Sequence, residues 1–375
     1  MLKIGVLKEI RNSEGRVGLS PDGVRKLTAD GIKVYVEGTA GENCNFSDEH
    51  YEDAGAEIVP TPERLVEETN LIVKIQPPSP VESELLTDQH IIFSFLNLPH
   101  NNDRIKAHLA TNSAYFGMEY LEDAGGNLPV MESMSEIAGR MAIHIGAWLM
   151  SVPNGGKGIL LSGTDTVQPA NITILGSGVV GRVAAIQAWT NGANVNLVSV
   201  KKDLSEDNKL IRDGLMIQPY SEETMAELLK ETDIFIVALY SMDQEHRSIR
   251  ITKSMIADMA PGSLVMDLSV EQNTVVETSH VTSLSQPAYS VDKVLHYCVP
   301  NIAASVPLTA SKLYSRKVVP YVKLLAKSGL KTTLDKSPEL LSALAAYKGK
   351  VTNRKVADLY GYKFYNIFDL LEHNL

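Results

Sequence analysis

The stretch Ile172-Thr173-Ile174-Leu175-Gly176-Ser177-Gly178-Val179-Val180-Gly181 decides the reading of this chain. Apart from Thr173 its first four residues are apolar, as a short buried strand requires. Three glycines follow in the spacing G-x-G-x-x-G, and Val183–Ala188 continue with helical character. Each glycine has its own task. Gly176 permits a tight turn, Gly178 lets backbone approach a pyrophosphate, and Gly181 lets helix pack close to strand. Val179 and Val180 open the helix, whose free N–H groups and positive dipole end suit phosphate. The pattern predicts a dinucleotide-binding βαβ unit; a tight turn without a ligand is the competing reading.

The second strand of that unit, Asn194–Val200, ends where an acidic residue is expected to hold the 2′-hydroxyl of NAD. Here Val198-Ser199-Val200 runs into Lys201-Lys202-Asp203. Ser199 leaves room for a 2′-phosphate, and Lys201 or Lys202 would neutralise it. NADP is therefore favoured over NAD, with a merely solvated lysine loop as the alternative.

Outward from this unit, further strand candidates are Asp233–Leu239 and Ser263–Val270, giving a second α/β set over residues 171–301. The first 130 residues form another. Strand-like runs at Lys3–Leu7, Lys33–Glu37, Ala56–Val59, Leu71–Gln76, Ile91–Asn97 and Ala114–Glu119 alternate with amphipathic segments, which implies a parallel sheet. Ser20-Pro21 caps one helix. Met134, Ile137, Ala138, Met141, Ile145 and Trp148 recur at helical spacing over Ser133–Met150, and Ser133 with Glu136 reads as its capping box. The last 70 residues read as helical over Leu308–Lys327 and Pro338–Tyr347, too poor in strands for a third sheet. The expected division is 1–130 with 306–375 as substrate domain and 131–305 as Rossmann domain: an α/β chain with the nucleotide domain inserted in a discontinuous partner.

Bulk properties narrow the function. With 375 residues, 44% of them hydrophobic, two domains can each bury a core. A net charge of −10 argues against nucleic acid and gives no attraction to an anionic membrane. Two cysteines and scattered histidines suit a reducing compartment and show no zinc-ligand spacing, so no metal is expected. The short N-terminal apolar run, cut by charges, is no signal peptide, and no stretch is long enough to span a membrane. A cytoplasmic enzyme is expected.

Several ordered blocks resemble the alanine dehydrogenase family, which shares its fold with the NAD-binding subunit of proton-translocating transhydrogenases. They are Lys8-Glu9, Glu14-Gly15-Arg16-Val17-Gly18-Leu19-Ser20-Pro21, Ile72-Val73-Lys74, Met134 through Ala142, Pro153 through Gly158, Gly176 through Gly181, Val276 through Ser279, His296 through Asn301 and Tyr347 through Val351. The resemblance covers nearly the whole chain. It implies a homo-oligomer, a discontinuous substrate domain around a central Rossmann domain, and a small 2-oxo or imino acid substrate in the cleft. Arg16 and Lys74 match the family's substrate-binding pair. A guanidinium fork suits a carboxylate, and a cation suits the oxygen where charge develops. Ser135, Ser221, Leu239 and Asn301 fall at family cofactor positions, although Ser221 also reads as a helix cap.

Two positions depart from the family. Asn97 stands where a catalytic His is expected; it hydrogen-bonds but transfers no proton at neutral pH. His100 is a remote substitute. Glu271-Gln272-Asn273-Thr274 stands where the family has Asp-Gln-Gly-Gly, so Glu271 keeps the carboxylate on a longer arm. The resemblance thus implies an NAD(P)-dependent amino-acid dehydrogenase with an altered substrate, imine or opine-type reduction being one that dispenses with the His proton. The alternatives are a non-catalytic dinucleotide-binding sensor or assembly protein and a transhydrogenase-like subunit.

Overall fold

The computed structural model describes residues 1–98, 102–201, 203–239, 249–273 and 275–373. Six strands precede residue 134: β1 (Ile4–Val6), β2 (Val34–Glu37), β3 (Glu57–Val59), β4 (Leu71–Val73), β5 (Ile91–Ser94) and β6 (Ala114–Gly117). Seven follow: β7 (Asn171–Leu175), β8 (Asn194–Ser199), β9 (Leu215–Pro219), β10 (Ile234–Val237), β11 (Leu264–Asp267), β12 (Ala288–Val291) and β13 (Val294–Tyr297). The chain ends with β14 (Leu344–Tyr347) and β15 (Lys350–Val351). It divides into two compact units, Met1–Met134 with Val306–Leu375, and Ser135–Ser305. Both are α/β.

The first unit holds a sheet in the order β15-β14-β6-β5-β4-β1-β2-β3. Its strands are parallel from β3 to β6. They are nearly continuous apolar runs, as strands covered on both faces must be. Order reverses between β1 and β4, so the crevice at their carboxyl ends is the switch point where open α/β sheets place ligands. The helix Pro307–Lys336 packs Ala310, Tyr314, Val318 and Val322 into this unit's buried core. Residues 344–351 turn back as a hairpin whose first strand pairs antiparallel with β6.

The second unit is a doubly wound sheet in the order β12-β13-β11-β10-β7-β8-β9. Its switch point lies between β7 and β10, and the glycine turn leaves β7 there. Ile172, Ile174, Val195, Leu197, Ile234 and Met266 form the core on one face.

Several elements differ from the sequence expectation. The helix anticipated at Ser133 begins a turn earlier, at Pro129, and ends at Leu149. Ser133 is therefore interior, and its hydroxyl donates to Val130 O at 2.6 Å instead of capping. The segment expected to be helical to Tyr347 stops at Ala343 and continues as β14. The strand at Leu215–Pro219 and the β12–β13 hairpin were not anticipated. Ser20 does cap its helix, accepting from Gly23 N at 3.3 Å. Among the described residues no helix is long and apolar enough to cross a membrane.

Candidate functional site

In the first unit the chemistry gathers in the segments that leave β1, β4, β5 and β6. Lys74 follows β4 and is 1% exposed. A buried ammonium needs partners. Its Nζ donates to Glu82 Oε1 at 2.7 Å and Lys8 O at 3.3 Å, and lies 3.4 Å from Glu9 Oε2. Burial opposes its charge, yet the two carboxylates hold its pKa above the ordinary lysine value. Glu9, just past β1, is pushed up by burial despite Lys74, and accepts from Ile75 N at 2.6 Å.

Arg16 is also buried. Its Nε and Nη2 donate to the two oxygens of Glu14 at 2.7 and 2.6 Å, a fork-on-carboxylate pair, and Nη1 points at Met134 Sδ. Burial would raise the Glu14 carboxyl, but Arg16 and Gln76 bring it below the usual range. Gln76 Nε2 donates to Glu14 Oε2 at 2.8 Å, and Gln76 Oε1 accepts from Arg11 Nη1 at 3.3 Å and Asn97 Nδ2 at 3.1 Å. Asn97 sits at φ +48°, a left-handed conformation that asparagine tolerates better than most residues. Buried Glu119 accepts from the Leu96 and Asn97 N–H groups, while Arg104 donates to Asn97 O.

In the second unit Gly176 and Gly181 have the tight turn and close packing that their spacing calls for. Gly176 has φ +110°, and a Cβ there would lie 2.5 Å from Ala238 O. A Cβ on Gly181 would lie 1.8 Å from Gly176 O, whereas one on Gly178 would meet open space. Gly178 starts the helix Val179–Thr190 with no side-chain cap. An open cradle over uncapped N–H groups fits a dinucleotide pyrophosphate.

The end of β8 is more elaborate than the sequence suggested. Ser199 is buried, and the space beside it holds a carboxylate: its hydroxyl donates to Asp207 Oδ2 at 2.9 Å and pairs with Ser177 Oγ at 2.7 Å. Asp207 also takes Arg182, through Nε at 3.0 Å and through Nη2, and Lys201 Nζ lies 3.6 Å away. Burial acts against the Asp207 anion, but these neighbours lower its pKa. Asp207 is buried, while Arg182 and Lys201 keep 34% and 46% of their side chains exposed.

The remaining expected residues lie apart within this unit. Ser221 caps the helix Glu222–Glu231 through Thr224 N at 3.0 Å. Leu239 N donates to Ser269 Oγ at 2.9 Å. Asn301 leads into the 3-10 turn Ile302–Ser305, Ser135 is half-buried, and Glu271 is exposed on the short helix Val270–Asn273. His100, Lys202 and Thr274 lie outside the described residues. Gln76, Glu82, Glu119, Arg182 and Asp207 were missed. Glu82 alone carried a signal, a capping box opened by Ser79.

Two doubly wound units, one with a phosphate-cradling glycine turn and the other with two buried cations at its switch point, define a dinucleotide-dependent oxidoreductase. Comparison with known proteins supplies the family. The family models "Alanine dehydrogenase/PNT, N-terminal domain" and "C-terminal domain" match residues 5–138 and 142–354. Alanine dehydrogenase of Halomonas elongata is 34% identical over 373 residues, covering 99% of this chain and 100% of that one. A solved L-alanine dehydrogenase superposes with a TM-score of 0.88 at 33% identity, covering 96% and 99% of the two chains. A transhydrogenase of Sinorhizobium meliloti superposes with 0.77 at 25% identity, covering 94% and 99%. The chain belongs to the alanine dehydrogenase/PNT family.

Proposed function

We propose that this protein is an NAD(P)-dependent amino-acid dehydrogenase acting on the 2-oxo or 2-imino form of a small amino acid, its substrate altered toward imines. The observation that carries this is the pair of buried cations, Arg16 and Lys74, beside the switch point of the first unit. A bare structural role gives no reason to bury a guanidinium fork and an ammonium there. The first unit is the substrate domain in this reading, and the second holds the dinucleotide on Gly176, Gly178 and Gly181.

When bound, the nicotinamide supplies or accepts a hydride. Arg16 holds the substrate carboxylate, with Glu14 fixing the plane of its guanidinium. Lys74 holds the oxo or imino group and stabilises the negative charge that develops on an oxo oxygen. Asn97 orients the reacting group by hydrogen bonding, and Glu271 is the proton carrier. NADP is the favoured dinucleotide, supported by Arg182 and Lys201, two partly exposed cations that buried Asp207 holds at the end of β8, Lys201 also donating to Ser177 O. A homo-oligomer goes with this reading, and sedimentation would measure it.

The test is oxidation of NADH and NADPH in parallel, with 2-oxo acids and either ammonia or primary amines. Turnover with any amine carries the reading. Tight dinucleotide binding without turnover across the panel replaces it with a non-catalytic binding protein.

A further inference from the structure

The side-chain amide of Gln76 has a single workable orientation. Its Nε2 lies 2.8 Å from Glu14 Oε2, and a carboxylate only accepts. Its Oε1 lies 3.3 Å from Arg11 Nη1, and a guanidinium only donates. Turned over, the amide would set oxygen against oxygen and NH2 against guanidinium. Glu14 stays ionised because Arg16 is clamped on it.

That polarity passes to Asn97. The Asn97 atom 3.1 Å from Gln76 Oε1 has to be a donor, hence Nδ2, and Oδ1 takes the opposite side of the amide. Backbone anchors fix the residue: its N–H on Glu119 at 2.7 Å, and its carbonyl under Arg104 at 2.8 Å. Asn97 is exposed, and its Oδ1 has no hydrogen-bond partner among the described residues.

We propose that Gln76 is a positioning residue that turns Asn97 Oδ1 toward the substrate's reacting atom, selecting a group that donates N–H, a protonated imine, over a ketone oxygen. This rests on the amino-acid dehydrogenase reading above. A protonated imine carries a hydrogen on nitrogen and donates it to Oδ1, whereas a ketone oxygen needs a donor and meets an acceptor. Hydride from a reduced nicotinamide dinucleotide adds to the iminium carbon. The π pair of the C=N bond moves onto nitrogen, leaving a neutral amine and the oxidised dinucleotide. This hydride step asks no proton of Asn97, which suits an asparagine.

Two planar carboxylates of like shape separate the cases: pyrrole-2-carboxylate, whose ring nitrogen only donates, and furan-2-carboxylate, whose ring oxygen only accepts. Calorimetric titration of the full chain is expected to show the pyrrole bound about tenfold tighter, the worth of one hydrogen bond. Gln76→Met releases Asn97 to rotate and brings the ratio near one, with dinucleotide affinity unchanged. Gln76→Lys puts a donor where the acceptor was and inverts the preference, so it carries the test if Gln76→Met does not fold. Equal binding of both probes by the unmodified chain, or a ratio untouched by substitution at 76, overturns the proposal while the carboxylate site stands. Binding of neither overturns the site as well.

Discussion

The hydroxyl of Tyr314 donates to the backbone carbonyl of Lys74 at 2.9 Å. A helix from the end of the chain thereby braces the strand terminus that carries a buried cation, through a phenol that is fully buried. Tyr314→Phe keeps the ring and orphans that carbonyl. It should lower unfolding stability by about 1–3 kcal/mol, the cost of an unsatisfied buried acceptor. Urea melts read this directly; an unchanged midpoint would mean that water replaces the hydroxyl.

Lys74 faces two carboxylates, Glu9 and Glu82, in one buried cluster. Lys74→Met removes the charge and leaves both acids uncompensated, a loss of about 3–5 kcal/mol near neutral pH. Burial already pushes the Glu9 carboxyl up, so falling pH protonates it and relieves the cluster, and the deficit against the unmodified chain should be smaller at pH 5 than at pH 8. A deficit independent of pH would show that Lys74 matters for packing alone.

Arg182 and Lys201 are held at the glycine turn by Asp207. If they receive a 2′-phosphate, Arg182→Ala and Lys201→Ala should each raise the KM for NADPH about tenfold, equivalent to about 1.4 kcal/mol, and leave that for NADH nearly unchanged. Parallel loss for both dinucleotides would make the cluster a structural brace instead.

His108 stacks on Tyr115 at 4.3 Å, and neither ring nitrogen has a hydrogen-bond partner. Burial pushes its pKa down to about 3. The folded chain thus keeps it neutral, while the unfolded chain takes up a proton below about pH 6.5. Stability is lost as pH falls from that value toward 3, at a slope approaching about 1.4 kcal/mol per pH unit. His108→Phe should remove this component, and denaturation at pH 6.5 and 4.5 would show whether it does.

The parts of the fold that could be read beforehand were those with one dominant local signal. Ile172–Leu175 with its glycines could hardly be anything but strand, turn and helix, and Arg16 and Lys74 were marked by the family blocks in which they fall. Ser133 misled because Ser-x-x-Glu is a capping signature wherever it falls, and Pro129 four residues earlier was the stronger start. The β14–β15 hairpin was overlooked although Lys348 and Gly349, at φ +47° and +72°, form a two-residue turn of the kind hairpins favour. Leu344-Ala345-Ala346 before it suits helix as well as strand. Asp207 had no legible signal. It lies eight residues past Ser199, and only the folding back of Ser205–Asn208 brings it to the end of β8. Gln76 was invisible for a related reason: its importance lies in which atoms face Glu14 and Asn97, and spacing carries no such information.

The antiparallel pairing of Leu344 with Phe116 also sets a timetable for synthesis. When β6 leaves the ribosome, the strand that will cover its edge is more than two hundred residues from being made. At about 5–20 residues per second, that edge waits roughly 10–45 s. Meanwhile Ser135–Ser305, a contiguous unit, is complete and free to fold. The nascent chain therefore carries an open, apolar sheet edge beside a finished domain, and that interval is its greatest exposure to aggregation.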